Sequence, residues 1–234
     1  MKSFQVYLLI LWSTYVFSQE TNKYKIANTI IDVKEIIKTD LGLEVFKEIE
    51  AMNLSNSKYS VGILELDNIL DGNGQKLGKL LGGCQCHMMM GKLEIANAIG
   101  FMAGIASVIE INISDSTFKS TLSYNTDGMQ TYKFNKEGEF ITDIVVALER
   151  AKLEFSPDSK FEHDGILKGK LIGTSIKYYE KDNSSLGYKE IQTNVLSIFE
   201  CKLTDYEKIL KDNGKGDLLE EMKEDLEHQK KKKN

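Results

Sequence analysis

The chain has 234 residues and carries 30 Lys and Arg against 35 Asp and Glu, with one proline and three cysteines. This composition excludes a collagen-like chain and a dense disulfide scaffold, and 41% hydrophobic residues exclude a chain that is disordered throughout. The net charge of −5 argues against a nucleic-acid binder, whose affinity depends on an excess of Lys and Arg.

The first 18 residues predict an export signal. A basic start is followed by an apolar stretch, and Val16 and Ser18 fit the small-residue positions of a signal-peptidase site. A helix over residues 4–17 would be about 21 Å long, which is shorter than the hydrocarbon core of about 30 Å. We therefore expect residues 1–18 to be a cleaved signal peptide rather than a membrane anchor. The mature chain is then periplasmic or extracellular and has no stable membrane span.

Residues 19–58 predict an N-terminal helical segment. Apolar residues recur at helical spacing on both sides of Gly42, which predicts two helices. They are Ile26, Ile30, Val33, Ile37, Leu43, Phe46 and Ile49. The β-branched residues within 29–38 leave a strand open as the alternative for that stretch.

Residues 59–204 predict a β-rich domain. Tyr59–Asp67 is a predicted strand, and from residue 105 onward apolar residues recur with period two between short turns. The clearest unit is a hairpin of 165–180 and 188–203, whose second strand places alternate residues on one core face. The core face holds Ile191, Thr193, Val195, Ser197, Phe199, Cys201 and Leu203. Adjacent antiparallel strands with short turns predict a sandwich or a barrel-like sheet.

A Gly-rich apolar segment at 74–104 interrupts this β pattern. Gly74, Gly78 and Gly82 fall four residues apart, which on a helix allows a close approach of backbones. Because glycine also weakens helices, loops or short broken helices remain the alternative. We interpret the segment as part of the buried core, since its apolar run is too short to cross a bilayer.

Residues 205–234 predict a charged helical tail. Thr204 to Glu207 has the form of a capping box, with the Thr204 side chain accepting a backbone N–H. A second helix is expected to start at Asp217. The predicted fold class is therefore α+β, with N-terminal helices, an antiparallel sandwich or barrel-like sheet, and this tail.

The most distinctive candidate site is a run of soft ligands at 84–90. Thiolate, imidazole and thioether groups together suit Cu(I), and glycines on both sides would let the backbone wrap an ion. The predicted ligands are Cys84, Cys86, His87, Met88, Met89 and Met90. The alternatives are a structural disulfide and plain core packing. With three cysteines at most one disulfide can form and one thiol is left over. Cys201 can pair with Cys84 or Cys86, and a Cys84–Cys86 bridge is also possible, although its ring would be very small.

Two polar clusters complete the candidates. Glu162, His163 and Asp164 could act in acid–base chemistry or hold a metal, although a surface loop explains them better. Tyr178, Tyr179 and Tyr188 lie near one end of the predicted hairpin and form a candidate surface for a partner or a ligand. The alternative is that these tyrosines cover the core there.

The sequence contains no assembled catalytic motif. It has no G-x-S-x-G, no H-E-x-x-H and no Walker loop, and it has three histidines in all. We therefore predict an exported, soluble, β-rich binding or interaction module that is not an enzyme and recognises a protein or a small ligand. The alternative prediction is a Cu(I)-handling protein that uses the segment at 84–90.

Overall fold

The structure is a computed structural model that describes residues 22–42, 44, 47, 60–68, 76–100, 105–182 and 187–233. Its helices are α1 (Val33–Asp40), α2 (Tyr206–Asp212) and α3 (Gly216–Lys233). Its strands are β1 (Asn22–Lys23), β2 (Lys25–Ile26), β3 (Ser60–Asn68), β4 (Lys76–Met89), β5 (Lys92–Gly100), β6 (Ile105–Ser114), β7 (Thr117–Thr126), β8 (Tyr132–Lys133), β9 (Asp143–Phe155), β10 (Ile166–Ser175), β11 (Tyr178–Asp182), β12 (Gly187–Ile191) and β13 (Thr193–Asp205). The predicted signal peptide at 1–18 lies outside the described residues.

Eight of the strands form a closed barrel. In the order β3, β4, β5, β6, β7, β9, β10 and β13, each long strand pairs antiparallel with the next, and β13 returns to pair with β3. The short strands β1 and β2 fill the seam where β7 and β9 diverge. The predicted sheet is thus a barrel and not a sandwich, because the strand order closes on itself.

The two ends of the barrel differ. The strands β3, β7 and β10 end at one end of the barrel, which we call the mouth. There the strands β8, β11 and β12 form a separate small sheet. At the other end, the base, β3 begins at Ser60, and beyond it β4 and β13 pair directly and in parallel, Cys86 opposite Leu203. The base therefore brings the end of β4 against the end of β13.

Alternation along the strands fills the barrel with apolar side chains. Inward-facing residues that are fully buried include Leu64, Ile95, Ile109, Ile111, Phe118, Leu122, Ile144, Leu153, Phe155 and Phe199. On β13 the core face predicted from the sequence is confirmed, since every second residue from Thr193 to Leu203 is buried. The outer face of β13 and β3 is also covered, because Val33 and Ile37 of α1 pack there on Val61, Ile63 and Ile198.

The predicted N-terminal helical segment is wrong in the extent of its first helix. Residues 22–26 form β1 and β2, and α1 is an eight-residue helix that begins after the cap Asp32. Residues 22–26 form β strands because their backbone groups then pair with the free edges of β7 and β9. Most of the second predicted helix, after Gly42, lies outside the described residues.

The Gly-rich segment forms the hairpin of β4 and β5, and neither helices nor a loop occupy its described part. The turn uses Met90 and Gly91, which both have positive φ angles of 52° and 69°, as a two-residue hairpin turn requires. Gly82 allows a close approach of β4 and β5, because a Cβ atom there would overlap the Ala98 carbonyl. Gly62 on β3 shows the same need, because a side chain there would overlap Asn97 of β5.

The predicted hairpin 165–180 with 188–203 divides into two parts. Its lower part is the pair β10 and β13, whereas its upper part, β11 and β12, leaves the barrel and joins β8. The helical tail is present as α2 and α3, but the cap of α2 is Asp205 and not Thr204, since the Asp205 carboxylate accepts the Lys208 N–H at 3.1 Å. Among the described helices none is long and apolar enough to cross a membrane.

Candidate functional site

Three cysteines from distant parts of the chain meet inside the base of the barrel. Cys84 and Cys86 face inward from β4, and Cys201 faces inward from β13. Cys86 and Cys201 form a disulfide with a Cα–Cα distance of 5.9 Å, and Cys84 is free. All three Sγ atoms lie within 4.8 Å of one another, and we call this group the sulfur cluster. Of the two Cys201 pairings that the sequence left open, the structure contains the one with Cys86.

The surroundings of the free thiol in the sulfur cluster disfavour its ionisation. Cys84 is 2% exposed, and its burial among apolar side chains raises the pKa of the thiol well above the usual range. A thiol needs a lowered pKa to act as a nucleophile near neutral pH. The arrangement therefore disfavours a thiol–disulfide enzyme.

Strand alternation divides the predicted ligands at 84–90. Cys84, Cys86 and the partly buried Met88 share the inner face, whereas His87 lies on the outer face. There the His87 Nε2 atom is 2.8 Å from Glu94 Oε2. Met90 lies in the hairpin turn, where its backbone N–H donates to Glu207 Oε1 at 2.6 Å. The structure thus brings the two thiols together with Cys201 and leaves His87 on the other side of the wall.

The outer face of the base carries a cleft of about 430 Å³ that contains both candidate histidines. His87 and His163 line this histidine cleft, together with Asp164, Lys202, Thr204 and Tyr206. The His87 ring lies 5.6 Å from the Tyr206 ring, between centroids. Cys86 is also part of the cleft wall. Two regions that the sequence suggested separately are therefore neighbours in the fold.

The contacts of His163 and Asp164 disfavour a role for this pair in acid–base catalysis. Its Nδ1 atom accepts the Asp205 N–H at 3.1 Å, so in the neutral ring Nε2 carries the proton and is a donor. Asp164 is 2.9 Å from Lys202 Nζ, and that hydrogen bond lowers the pKa of the Asp164 carboxyl. A carboxylate bound to an ammonium group is a poor general base. The cleft thus offers hydrogen-bond donors and acceptors rather than a catalytic pair.

Three tyrosines are in mutual contact at the mouth. The ring of Tyr124 lies 5.4 Å from that of Tyr132 and 6.0 Å from that of Tyr178, and the Tyr132 and Tyr178 rings are 6.1 Å apart. The Tyr178 hydroxyl is 3.1 Å from Thr193 Oγ1. Burial raises the pKa of all three phenols, which therefore stay protonated at neutral pH. We call these residues the tyrosine cluster.

A cleft of about 610 Å³ opens beside the tyrosine cluster, and we call it the mouth cleft. Tyr132 forms part of its wall, and the exposed side chain of Met129 stands at its edge. The other lining residues are polar or small and comprise Thr126, Gly128, Gln130, Thr131, Glu180 and Lys181. The mouth therefore combines an aromatic wall with hydrogen-bonding groups and charges of both signs.

The three tyrosines singled out in the sequence do not share one surface. Tyr178 is 2% exposed and belongs to the tyrosine cluster, whereas Tyr179 and Tyr188 lie on the outer face of β11 and β12. Their rings are in edge contact at 5.4 Å, and Lys133 Nζ lies 3.6 Å from the center of the Tyr188 ring. Sequence reasoning missed Tyr124 and Tyr132 because only the closure of the barrel brings them to Tyr178.

Comparisons with protein-family models, with curated proteins and with solved structures give no match.

Proposed function

We propose that this chain is a non-enzymatic, exported binding protein that takes a small planar ligand in the mouth cleft. The observation that carries the proposal is the tyrosine cluster beside an open cleft, to whose wall Tyr132 contributes although it is only 7% exposed. A volume of about 610 Å³ falls within the range of small-molecule sites, and such sites favour the mouths of β-barrels. Closure of the barrel holds the tyrosines in place, so the aromatic wall is formed before a ligand arrives.

The side chains of the mouth cleft describe the ligand chemistry. Because Tyr132 is 7% exposed and its ring is stacked on that of Tyr124, a planar ligand ring would contact the part of Tyr132 that borders the cleft. Such aromatic contacts stabilise beyond their buried area. Gln130 and Thr131 offer hydrogen-bonding groups to polar edges of the ligand, and Lys181 supplies a positive charge for an anionic group. We therefore propose an aromatic ligand with an acidic substituent, in preference to a purely aliphatic one.

The sulfur cluster supports the proposal that the chain is exported. A disulfide between Cys86 and Cys201 persists in oxidising compartments and is rare in reducing ones. This agrees with the signal peptide predicted at 1–18, and both point to the periplasm or the extracellular space. The test is N-terminal sequencing of the protein recovered from the source cells, which should begin at Gln19.

The test of the binding proposal uses 8-anilinonaphthalene-1-sulfonate, which combines planar rings with a sulfonate. We expect saturable fluorescence enhancement with the wild-type protein, because the rings can contact Tyr132 and the sulfonate can contact Lys181. Tyr132→Ala should raise the dissociation constant about five- to tenfold, which corresponds to the loss of one aromatic contact. Lys181→Gln should weaken it less, and its effect should fade as salt is added.

Tyr188→Ala is the matched control, because Tyr188 is an aromatic residue outside the mouth cleft. Its binding curve should overlay that of the wild type. Equal binding by Tyr132→Ala, in a protein whose circular dichroism matches the wild type, would contradict a mouth site. Loss of binding in Tyr188→Ala would move the site to the outer face of β11 and β12.

A further inference from the structure

We propose that the reduced protein binds one Cu(I) ion at the sulfur cluster, through Cys84, Cys86 and Cys201, and that the Cys86–Cys201 disulfide blocks this site. The fold brings three sulfur atoms within 4.8 Å of one another, although Cys201 is 115 residues from Cys86. One ion can therefore reach all three sulfurs without a rearrangement of the barrel. This site is separate from the mouth cleft, and neither proposal depends on the other.

The donor set favours Cu(I) over zinc. Thiolates are soft ligands that select Cu(I), and a structural zinc site takes four Cys or His ligands. Within the described residues the cluster consists of Cys84, Cys86 and Cys201, and no His or carboxylate joins it. His87, the one imidazole near in sequence, points to the outer face and is engaged with Glu94. Three sulfurs in an apolar interior match an ion that accepts two or three ligands.

The apolar surroundings also set the charge of the complex. Three thiolates around Cu(I) would leave two negative charges in the barrel core, which burial opposes strongly. Two thiolates and one neutral sulfur leave a single negative charge. We assign the thiolates to Cys86 and Cys201, whose sulfurs are released as a neighbouring pair when the disulfide is reduced, and the neutral thiol to Cys84.

Binding follows reduction of the disulfide. A dithiol reductant transfers two electrons and two protons to the Cys86–Cys201 bond and becomes a cyclic disulfide, which leaves three thiols in the protein. Cu(I) then forms bonds to the Cys86 and Cys201 sulfurs, and the two displaced protons pass to water.

The test is a titration of the full chain with the acetonitrile complex of Cu(I), under argon, with bathocuproine disulfonate as the competing chelator. Protein reduced with a phosphine should bind one Cu(I), and X-ray absorption should show sulfur neighbors only. The oxidised wild-type protein should bind at least a hundredfold more weakly, and this comparison needs no variant that could misfold.

Three variants locate the site. Cys201→Ser should lose at least tenfold in affinity, although Cys201 lies far from the run at 84–90, and Cys84→Ser should lose less because it supplies the neutral ligand. His87→Ala is the matched control and should bind as the wild type does. Unchanged binding in Cys201→Ser, loss in His87→Ala, or equal binding by oxidised and reduced wild type would each overturn the proposal.

Discussion

At the scale of single residues, the contact between Gly62 and Asn97 holds two neighbouring parts of the barrel interior together. Asn97 is fully buried, and its Nδ2 atom donates to Ser197 Oγ at 2.9 Å and to the Ile63 carbonyl at 3.2 Å. This side chain lies against Gly62, where a Cβ atom would overlap it. The hydrogen bonds of Asn97 Nδ2 replace those that this group made in water, whereas Asn97 Oδ1 is buried with no hydrogen-bond partner among the described residues.

Gly62→Ala should therefore lower the free energy of unfolding by about 1–3 kcal/mol, the usual range for an overpacked core. Gly62→Ala combined with Asn97→Ala should cost less than the sum of the two single changes, since the smaller residue makes room. Urea unfolding of the four proteins measures the coupling. Gly83→Ala is the control, because nothing lies within 4 Å of a Cβ there, and it should be close to neutral. Full additivity would contradict the contact.

The buried carboxyl of Glu200 gives a pH dependence at the same scale. Glu200 is 8% exposed, and burial raises the pKa of its carboxyl above the usual 4.5, which Lys168 offsets only in part. Between the pKa of Glu200 in the unfolded chain and its higher pKa in the folded protein, the folded protein binds more protons than the unfolded chain. The contribution of Glu200 to stability therefore falls as the pH rises through this interval.

Glu200→Gln should therefore be more stable than the wild type at pH 7, and the difference should disappear near pH 4. Glu190→Gln is the control with the opposite sign, since a hydrogen bond from Lys177 lowers the pKa of the Glu190 carboxyl. Urea unfolding at a series of pH values measures both. A wild type that is more stable than Glu200→Gln at pH 7 would refute the assignment.

At the scale of elements, α1 is held by one apolar face and one cap. Val33 and Ile37 are buried on Val61, Ile63 and Ile198, outside the barrel wall. The Asp32 side chain accepts the Glu35 N–H at 3.0 Å at the start of the helix. A helix of eight residues is too short to persist without such packing.

Ile37→Ala should lower the free energy of unfolding by about 2–5 kcal/mol, as expected for a fully buried aliphatic side chain. Asp32→Ala removes only the cap and should cost about 1 kcal/mol. Hydrogen exchange should show loss of protection in α1 before the barrel strands in both variants. A smaller effect for Ile37→Ala than for Asp32→Ala would mean that packing does not hold this helix.

At the scale of the whole molecule, the disulfide joins the second barrel strand to the last one. The link from Cys86 to Cys201 spans 115 residues of sequence, which includes most of the barrel. A crosslink over a long loop restricts the unfolded chain strongly, and removal of such a bond costs about 2–5 kcal/mol.

Addition of dithiothreitol should therefore lower the melting temperature of the wild type by several degrees. Cys84→Ala should show the same difference between oxidised and reduced samples, since Cys84 is the free thiol. Differential scanning calorimetry of both proteins in both states measures the effect. A reduction-insensitive wild type, or a Cys84→Ala variant that has lost the difference, would contradict this pairing.

Strand alternation could be predicted from the sequence, whereas the pairing of distant strands could not. The core face of β13 was predictable because apolar residues dominate one side of the strand, at Val195, Phe199, Cys201 and Leu203, although Leu196 and Ile198 on the other side are also apolar. The hairpin of β4 and β5 was not, since glycines four residues apart resemble a helical pattern, and their role depends on neighbouring strands. The same holds for the site: Tyr178 was found in the sequence, but its contacts with Tyr124 and Tyr132 arise from barrel closure. His87 and Cys86 are adjacent in sequence, and the alternation of side chains along β4 places them on opposite faces of the barrel wall.

The closure of the barrel through β3 and β13 has a consequence for how the chain acquires its structure. Ser60 pairs with Cys201, so the first and last barrel strands must find each other across nearly the whole domain. Until β13 has been made, β3 and β10 each present an unpaired edge, which is a template for aggregation. Topologies dominated by such distant pairings also fold slowly. A chain that stops before β13 should therefore be insoluble, whereas one that stops after β13 keeps every strand of the barrel.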